Sequence, residues 1–273
     1  MVSIESQVNM NLCSIASGSS GNCIYVGNTN TNILVDAGIS KKRIEEGLHS
    51  VDINPEKLDG ILITHEHSDH VCGVGVMARK YHMPIYGTVE TIAAMLKTKN
   101  VGRIPEECFR YIQPDESFMI NDIQVNPFAM SHDASNPVCY TFEAEGHKVG
   151  VATDLGKYDD YIVSKLADSE ILLLEANHDE NMLQVGAYPY YLKRRILGDK
   201  GHLSNENSGK LIRTLLHEKM KYVFLGHLSK ENNFPDLAYE TVKFEVEADG
   251  NELSKAVSIQ VANREVPSEF VSV

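Results

Sequence analysis

Residues 61–70 read Ile-Leu-Ile-Thr-His-Glu-His-Ser-Asp-His. The first four are apolar or β-branched and predict a buried strand, so the polar residues that follow lie at its exit. Imidazole and carboxylate groups are the ligands that zinc, manganese and iron prefer. A single metal cannot easily use four ligands from so short a loop, so we expect His65 and His67 to bind one metal and Asp69 and His70 a second. Two metals about 3.5–4 Å apart activate water and clamp a phosphoryl or acyl centre. The alternative interpretation is an ordinary polar loop.

Ligand-type residues also follow short apolar runs elsewhere in the chain: Asp36, His132, Asp154, Glu175 and His227. A single aspartate at a strand end is more often a cap or a turn residue. Five such residues, in a chain that already carries H-x-H-x-D-H, favour a metal site built from several strand ends.

The order of predicted elements indicates the fold class. Short strands with tight turns fill the first third of the chain, and strands then alternate with helices twice over. Ser40 and Ser204 are predicted to cap helices, and residues 109–118 are predicted to form a strand. We expect an α/β (α+β) fold, a four-layer αββα sandwich, in a single domain over residues 1–273. The tail, residues 264–273, is expected to be disordered.

Charge and composition narrow the classes of protein. The formal net charge of −13 argues against capture of nucleic acid by the whole surface. Two local basic patches remain, residues 41–43 and 193–195. No stretch approaches the roughly 20 apolar residues of a membrane span, and no secretory signal is visible. An odd number of scattered cysteines predicts reduced thiols in a cytoplasmic protein: Cys13, Cys23, Cys72, Cys108 and Cys139.

The order Asp, H-x-H-x-D-H, His, Asp, His, with each group at a strand end, resembles the metallo-β-lactamase fold superfamily. The resemblance implies two divalent metals, manganese or zinc with iron as a further option. One would be held by His65, His67, His132 and Asp154, and the other by Asp69, His70, Asp154 and His227. It implies a hydroxide between the metals as nucleophile. Asp69 would orient the hydroxide, and Asp36 would hold the histidine loop by hydrogen bonds.

Two further residues resemble the nuclease branches of that superfamily, Glu175 in Leu-Glu-Ala-Asn and His202 in Gly-His-Leu-Ser. A carboxylate bonded to His202 would keep the imidazole protonated, so that it could donate to the departing oxygen. The segments 13–23, 36–38, 64–70 and 201–205 are similar to those of YycJ/WalJ-type bacterial exonucleases. That resemblance implies a 5′→3′ exonuclease acting on double-stranded DNA in DNA repair or metabolism.

Two segments are candidates for substrate binding, and each has a structural alternative. The loop of residues 17–22, with Ser19 and Ser20, could cradle a phosphate or be a plain hairpin turn. Lys193, Arg194 and Arg195 follow three tyrosines, which is a pattern suited to tracking a nucleic acid strand. The same residues are equally typical of a solvated amphipathic helix.

Other functions remain open from the sequence. The same metals would serve hydrolysis of a small thioester, lactone or β-lactam, or RNA processing by a nuclease. A scaffold without catalysis would be expected to lack some ligands, and every ligand position is filled here. We therefore predict a metal-dependent phosphodiesterase with DNA as its partner and no membrane association. The sequence does not indicate a protein partner.

Overall fold

The computed structural model of the protein describes residues 9–273, and the secondary structure below belongs to that part of the chain. The strands are β1 (Asn11–Ala16), β2 (Cys23–Gly27), β3 (Asn32–Val35), β4 (Gly60–Leu62), β5 (Ile85–Gly87), β6 (Phe109–Tyr111), β7 (Phe118–Ile120), β8 (Ile123–Ala129), β9 (Val138–Ala144), β10 (His147–Ala152), β11 (Ile171–Glu175), β12 (Tyr222–Gly226), β13 (Ser258–Val261) and β14 (Val271–Ser272). The helices are α1 (Lys41–Ser50), α2 (Ser68–Val71), α3 (Val74–Tyr81), α4 (Val89–Met95), α5 (Asp160–Leu166), α6 (Glu180–Val185), α7 (Tyr190–Ile196), α8 (Asn205–Leu215), α9 (Pro235–Glu247) and α10 (Leu253–Ala256).

The strands form two seven-stranded sheets. The first has the order β14-β1-β2-β3-β4-β5-β6, and the second has the order β13-β12-β11-β10-β9-β8-β7. In the first sheet β3, β4, β5 and β6 are parallel. In the second sheet β10, β11, β12 and β13 are parallel. The carboxyl ends of parallel strands meet at one edge of a sheet, so each sheet has an edge at which several loops converge.

Three apolar clusters show how the layers pack. One cluster joins inward residues of both sheets, among them Val35, Leu62, Tyr140 and Leu173. A second lies between the first sheet and helices α1 and α3, and a third lies between the second sheet and helices α5, α8 and α9. Helices therefore cover the outer face of each sheet, and the predicted four-layer αββα sandwich is confirmed.

Local capping also agrees with the sequence. Ser40 Oγ accepts from Arg43 N at the start of α1, and Ser204 Oγ accepts from Asn207 N at the start of α8. Each serine therefore satisfies an N–H group that the first helical turn leaves without a partner.

All five cysteines are free thiols, and Cys72 alone among them is not buried. In residues 9–273, no helix is both long and apolar enough to cross a membrane.

Two predictions about the chain path are wrong. The expected disordered tail includes β14, which pairs with β1 through Val271 and Leu12, and Val273 is buried in the core between the sheets. The tail is ordered because it covers the open edge of β1. Residues 109–118 form no single strand. Their two ends are β6 and β7, which lie in different sheets, with a turn at Asp115 where φ is 67°.

Candidate metal centre and active site

The histidine loop follows β4 and is held at both ends by Asp36, which follows β3. Asp36 Oδ1 accepts from Thr64 N at 2.9 Å, and Oδ2 accepts from Thr64 Oγ1 at 2.8 Å. The same Oδ2 lies 2.7 Å from His70 Nδ1. Because a carboxylate only accepts, Nδ1 of His70 carries the hydrogen and Nε2 is left with its lone pair. Asp36 therefore fixes both the loop and the ring nitrogen that His70 presents.

His65, His67 and His132 form the first group of ligand atoms, which lie within 4.8 Å of one another. His67 Nδ1 is 3.3 Å from His132 Nε2. His65 Nε2 is buried and has no hydrogen-bond partner among the described residues. An unpartnered buried nitrogen is costly, so this atom is suited to a cation.

Asp69, His70 and His227 form a second group with the same spacing. His227 Nε2 lies 3.4 Å from Asp69 Oδ2. Asp154 lies between the two groups, with Oδ2 at 3.2 Å from His70 Nε2 and Oδ1 at 3.8 Å from His132 Nε2. One carboxylate is thus within reach of both groups.

Three residues of the centre have left-handed backbone conformations: φ is 61° at Asp36, 59° at Asp154 and 53° at His227. Such conformations are uncommon for residues other than glycine and cluster at functional sites. Each residue directly follows a strand or lies two residues beyond one, where the chain turns at the end of that strand.

The donor set fits divalent cations. Burial lowers the pKa of His65 well below its ordinary range, which leaves its imidazole neutral. Burial also opposes charge on His227, but the carboxylates of Asp154, Asp69 and Glu175 together outweigh it and raise the pKa to about 10. Imidazoles and carboxylates of this kind bind zinc, manganese or iron. Binding of a cation would displace the proton from His227, because a ligand imidazole must be neutral on the bonding nitrogen.

Glu175, the last residue of β11, is fully buried and joins three segments of the site. Its Oε1 lies 2.7 Å from His202 Nδ1 and 2.8 Å from His227 Nδ1. Its Oε2 accepts from Leu155 N at 2.8 Å and from Leu203 N at 3.2 Å. Burial lowers the pKa of His202, but the charge and hydrogen bond of Glu175 outweigh this and raise it above its ordinary value. Glu175 therefore favours the charged form of His202 beside the centre.

The loop of residues 17–22 lies against the metal centre, but through residues that the sequence did not single out. Ser17 Oγ accepts from His227 N at 2.8 Å, and Asn22 Nδ2 lies 3.1 Å from His70 Nε2. The predicted Ser19 and Ser20 are exposed, and Ser20 Oγ accepts from Arg264. No spacing rule indicated Ser17 and Asn22, because both contact residues far away in the chain, and the contact of Ser17 also crosses between the two sheets.

The predicted basic residues separate in the structure. Arg195 forms a bidentate pair with Asp133, next to His132. Lys193 Nζ donates to Gln184 O, and the Arg194 guanidinium lies over the ring of Tyr190. In the other basic patch, residues 41–43, Lys41 and Lys42 pair with glutamates of their own helix. Of α7, only Arg195 is thus brought to the edge of the centre.

Comparison with known proteins identifies the family. A sequence profile described as the beta-lactamase superfamily domain matches residues 31–227, which is more than half of the chain. The chain belongs to the β-lactamase superfamily. Exodeoxyribonuclease WalJ of Streptococcus pneumoniae is 40% identical over 237 residues, which cover 87% of this chain and 88% of that protein. Exodeoxyribonuclease YycJ of Bacillus anthracis is 36% identical over 256 residues, which cover 94% and 96%.

The solved structures place this superfamily member in the metallo-β-lactamase fold. Zn²⁺-bound PqqB from Methylobacterium extorquens superimposes with a TM-score of 0.70 at 13% identity, over 95% of this chain and all of that one. The metallo-β-lactamase fold protein YhfI from Bacillus subtilis gives 0.68 at 14% identity, over 98% and 100%. The predicted family is confirmed. The protein is a metal-dependent hydrolase, and its histidine and aspartate cluster is suited to divalent ions.

Proposed function

We propose that the protein is an exodeoxyribonuclease that removes nucleotides from double-stranded DNA in the 5′→3′ direction, in DNA repair or metabolism in the cytoplasm. The pair of Glu175 and His202, joined at 2.7 Å beside the histidine cluster, is the observation that carries the proposal. Hydrolysis of a phosphodiester expels an alkoxide, which needs a proton, and the pair supplies a proton donor at the site. The relatives that cover most of the chain are named exodeoxyribonucleases.

The ligand groups divide between two cations. His65, His67 and His132 would hold one, Asp69, His70 and His227 would hold the other, and Asp154 would contact both. Bound there, two divalent cations neutralise a phosphodiester and make water a nucleophile near neutral pH. Asp69 is the most exposed of the aspartates in the centre, with 24% of its side chain accessible. From that position its free oxygen orients the attacking water.

His202 acts at the other side of the phosphorus. Glu175 holds Nδ1 of the ring, and the side chain keeps 17% of its surface accessible, so Nε2 can face a bound strand. As the P–O bond breaks, the Nε2 proton moves to the departing oxygen and the ring becomes neutral. Glu175 remains ionised throughout, because its charge serves to hold the imidazolium.

Contacts to the strand would come from the edge of the centre. Arg195 is half exposed and is held by Asp133, so its remaining N–H groups can reach a phosphate. Ser19 and Ser20 are exposed on the neighbouring loop. Lys193 and Arg194 point to other partners and would contribute little.

Digestion of 5′-labelled blunt duplex DNA with added Mn²⁺ tests the proposal, with Asp69→Ala run beside the wild type. We expect the wild type alone to release the label as small products. If neither protein releases label although metal is bound stoichiometrically, the proposal is wrong. The same preparations are then assayed on RNA and on small thioester, lactone and β-lactam substrates, which are the alternatives from the sequence.

A further inference from the structure

A cavity of about 250 Å³ adjoins the candidate metal centre on the side of His227. It is bounded by the loop after β12, the end of β13 and the residue Ser17. Ser17 belongs to both sites, since its Oγ accepts from His227 N at 2.8 Å while the residue also lines the cavity. The cavity and the centre are therefore neighbours, an arrangement that suits a strand extending from one to the other.

The cavity is basic although the chain as a whole is acidic. Its eleven lining residues, all within the described part of the chain, include Lys230 and Arg264 and no aspartate or glutamate. The half-buried guanidinium of Arg264 donates to Ser20 Oγ at 3.3 Å and to Leu228 O at 2.7 Å. Both acceptors are neutral, so these contacts orient the guanidinium without cancelling its charge. Its position suits a phosphate.

Gly18 makes room for this guanidinium. A Cβ atom at Gly18 would lie 2.6 Å from Arg264 Nη1, and φ is 150° there. Arg43 also donates to the backbone carbonyl groups of Arg264 and Glu265, which fixes the segment that carries the cation. Gly18 therefore leaves the space that the guanidinium of Arg264 occupies at the cavity.

An exposed aromatic ring also lines the cavity. Phe234 keeps 48% of its surface accessible although it lines the cavity. The residue before it, Asn233, is buried and donates to Ala176 O at 2.9 Å and to Asn177 O at 3.0 Å. Asn233 Oδ1 accepts from Phe234 N. An exposed ring on so fixed a backbone is a platform on which a base can stack.

We infer that this cavity binds one deoxynucleotide of the DNA strand, with its base on Phe234 and its phosphate on Arg264 and Lys230. The inference rests on the proposed nuclease function and adds a substrate subsite to it. The volume of about 250 Å³ lies just below the usual range of ligand pockets, about 300–1,000 Å³, which fits a single nucleotide held partly in solvent. Every base has a face for stacking, so the subsite would not select a sequence.

Tryptophan fluorescence tests the inference directly, because the chain contains no tryptophan. Phe234→Trp places one tryptophan in the cavity, and the metal-loaded variant is titrated with deoxyadenosine 5′-monophosphate. We expect saturable quenching, and no quenching by inorganic phosphate, which has no base. Adding Arg264→Gln should weaken the nucleotide affinity by about tenfold, because a charge-assisted phosphate contact is lost. Arg264→Lys should restore part of it.

Phe244→Trp is the matched control, since Phe244 is 73% exposed on α9 and does not line the cavity. Equal quenching at both positions, or none at residue 234, overturns the subsite. Affinity unchanged by Arg264→Gln overturns the assignment of the phosphate. If duplex DNA is digested while residue 234 reports no binding, only the subsite is wrong. If residue 234 reports binding while no DNA is digested, the subsite stands and the nuclease function is wrong.

Discussion

The sequence Gly-His-Leu-Ser-x-Glu-Asn occurs twice in this chain, at residues 201–207 and 226–232. The two copies have different secondary structures. The first leads into helix α8, and the second forms a short turn before α9 begins at Pro235. In both, the serine Oγ accepts an N–H group three residues further on, at 3.3 Å and 3.2 Å. Both segments therefore begin with the same serine hydrogen bond. Whether a helix follows depends on the packing around each segment.

The two histidines share one carboxylate but face different surroundings. Nδ1 of His202 and Nδ1 of His227 both lie within 2.8 Å of Glu175 Oε1. His227 follows β12, is 3% exposed and directs Nε2 toward Asp69. His202 is 17% exposed and lies at the edge of the centre. Glu175 thus fixes the Nδ1 hydrogen of both rings, and burial determines which Nε2 is suited to a metal and which to a substrate.

The largest effect on the rate of DNA digestion is expected from loss of His227, the buried histidine of the second copy. We expect His227→Ala to lower the rate of DNA digestion by about 10⁴-fold or more, because a proposed metal ligand is lost. Quantification of released label checks this, and circular dichroism confirms that the fold is retained. A folded variant with wild-type rate would show that His227 is outside the catalytic centre.

Loss of His202, the more exposed of the two histidines, should affect only the departure of the leaving group. We expect His202→Ala to slow DNA digestion by about 10²–10⁴-fold, the usual range for a general acid. On thymidine 5′-(p-nitrophenyl phosphate), whose leaving group departs without a proton, the same variant should approach the wild-type rate. Parallel kcat measurements on the two substrates check this. Equal losses on both would contradict a role as proton donor.

The shared carboxylate links the two copies. Glu175→Gln removes the charge that raises the pKa of His202, so we expect the alkaline limb of the pH–rate profile to shift to lower pH. The same change should weaken metal binding by about 10–100-fold through His227. Glu206→Gln, an exposed change inside the first copy, is the control. If the pH–rate profile does not shift, Glu175 does not control the pKa of the proton donor.

The smallest effect is expected at helix α7, where neighbouring cations have different partners. Arg195→Gln should raise KM for DNA by a few fold, since an exposed phosphate contact is worth little more than a surface ion pair. Lys193→Gln should leave KM unchanged, because Lys193 bonds to Gln184. Steady-state kinetics on the two variants checks this. A larger change in KM for Lys193→Gln than for Arg195→Gln would show that Lys193, and not Arg195, contacts the phosphate.

The clustering of the candidate metal ligands could be predicted from the sequence because strand ends carry them. His132, Asp154 and His227 are far apart in the chain, but β8, β10 and β12 run in the same direction and deliver them to one edge. An apolar run followed by a ligand-type residue is enough to reveal this pattern, and the structure brings these side chains together. Their catalytic roles stay a prediction.

The remaining contacts depend on packing that no local pattern encodes. Asn22 reaches His70 because two loops of the first sheet lie side by side. Arg195 and Lys193 differ because residues two apart on a short helix face different sides. The order of the tail depends on the free edge of β1, which lies about 260 residues earlier in the chain.

The metal content of His202→Ala and His227→Ala, measured side by side by mass spectrometry, tests most directly the claim that one carboxylate serves two different histidines. We predict the same number of metal ions per chain in His202→Ala as in the wild type, and fewer in His227→Ala. Equal metal loss in the two variants, or metal loss in His202→Ala alone, would contradict the account.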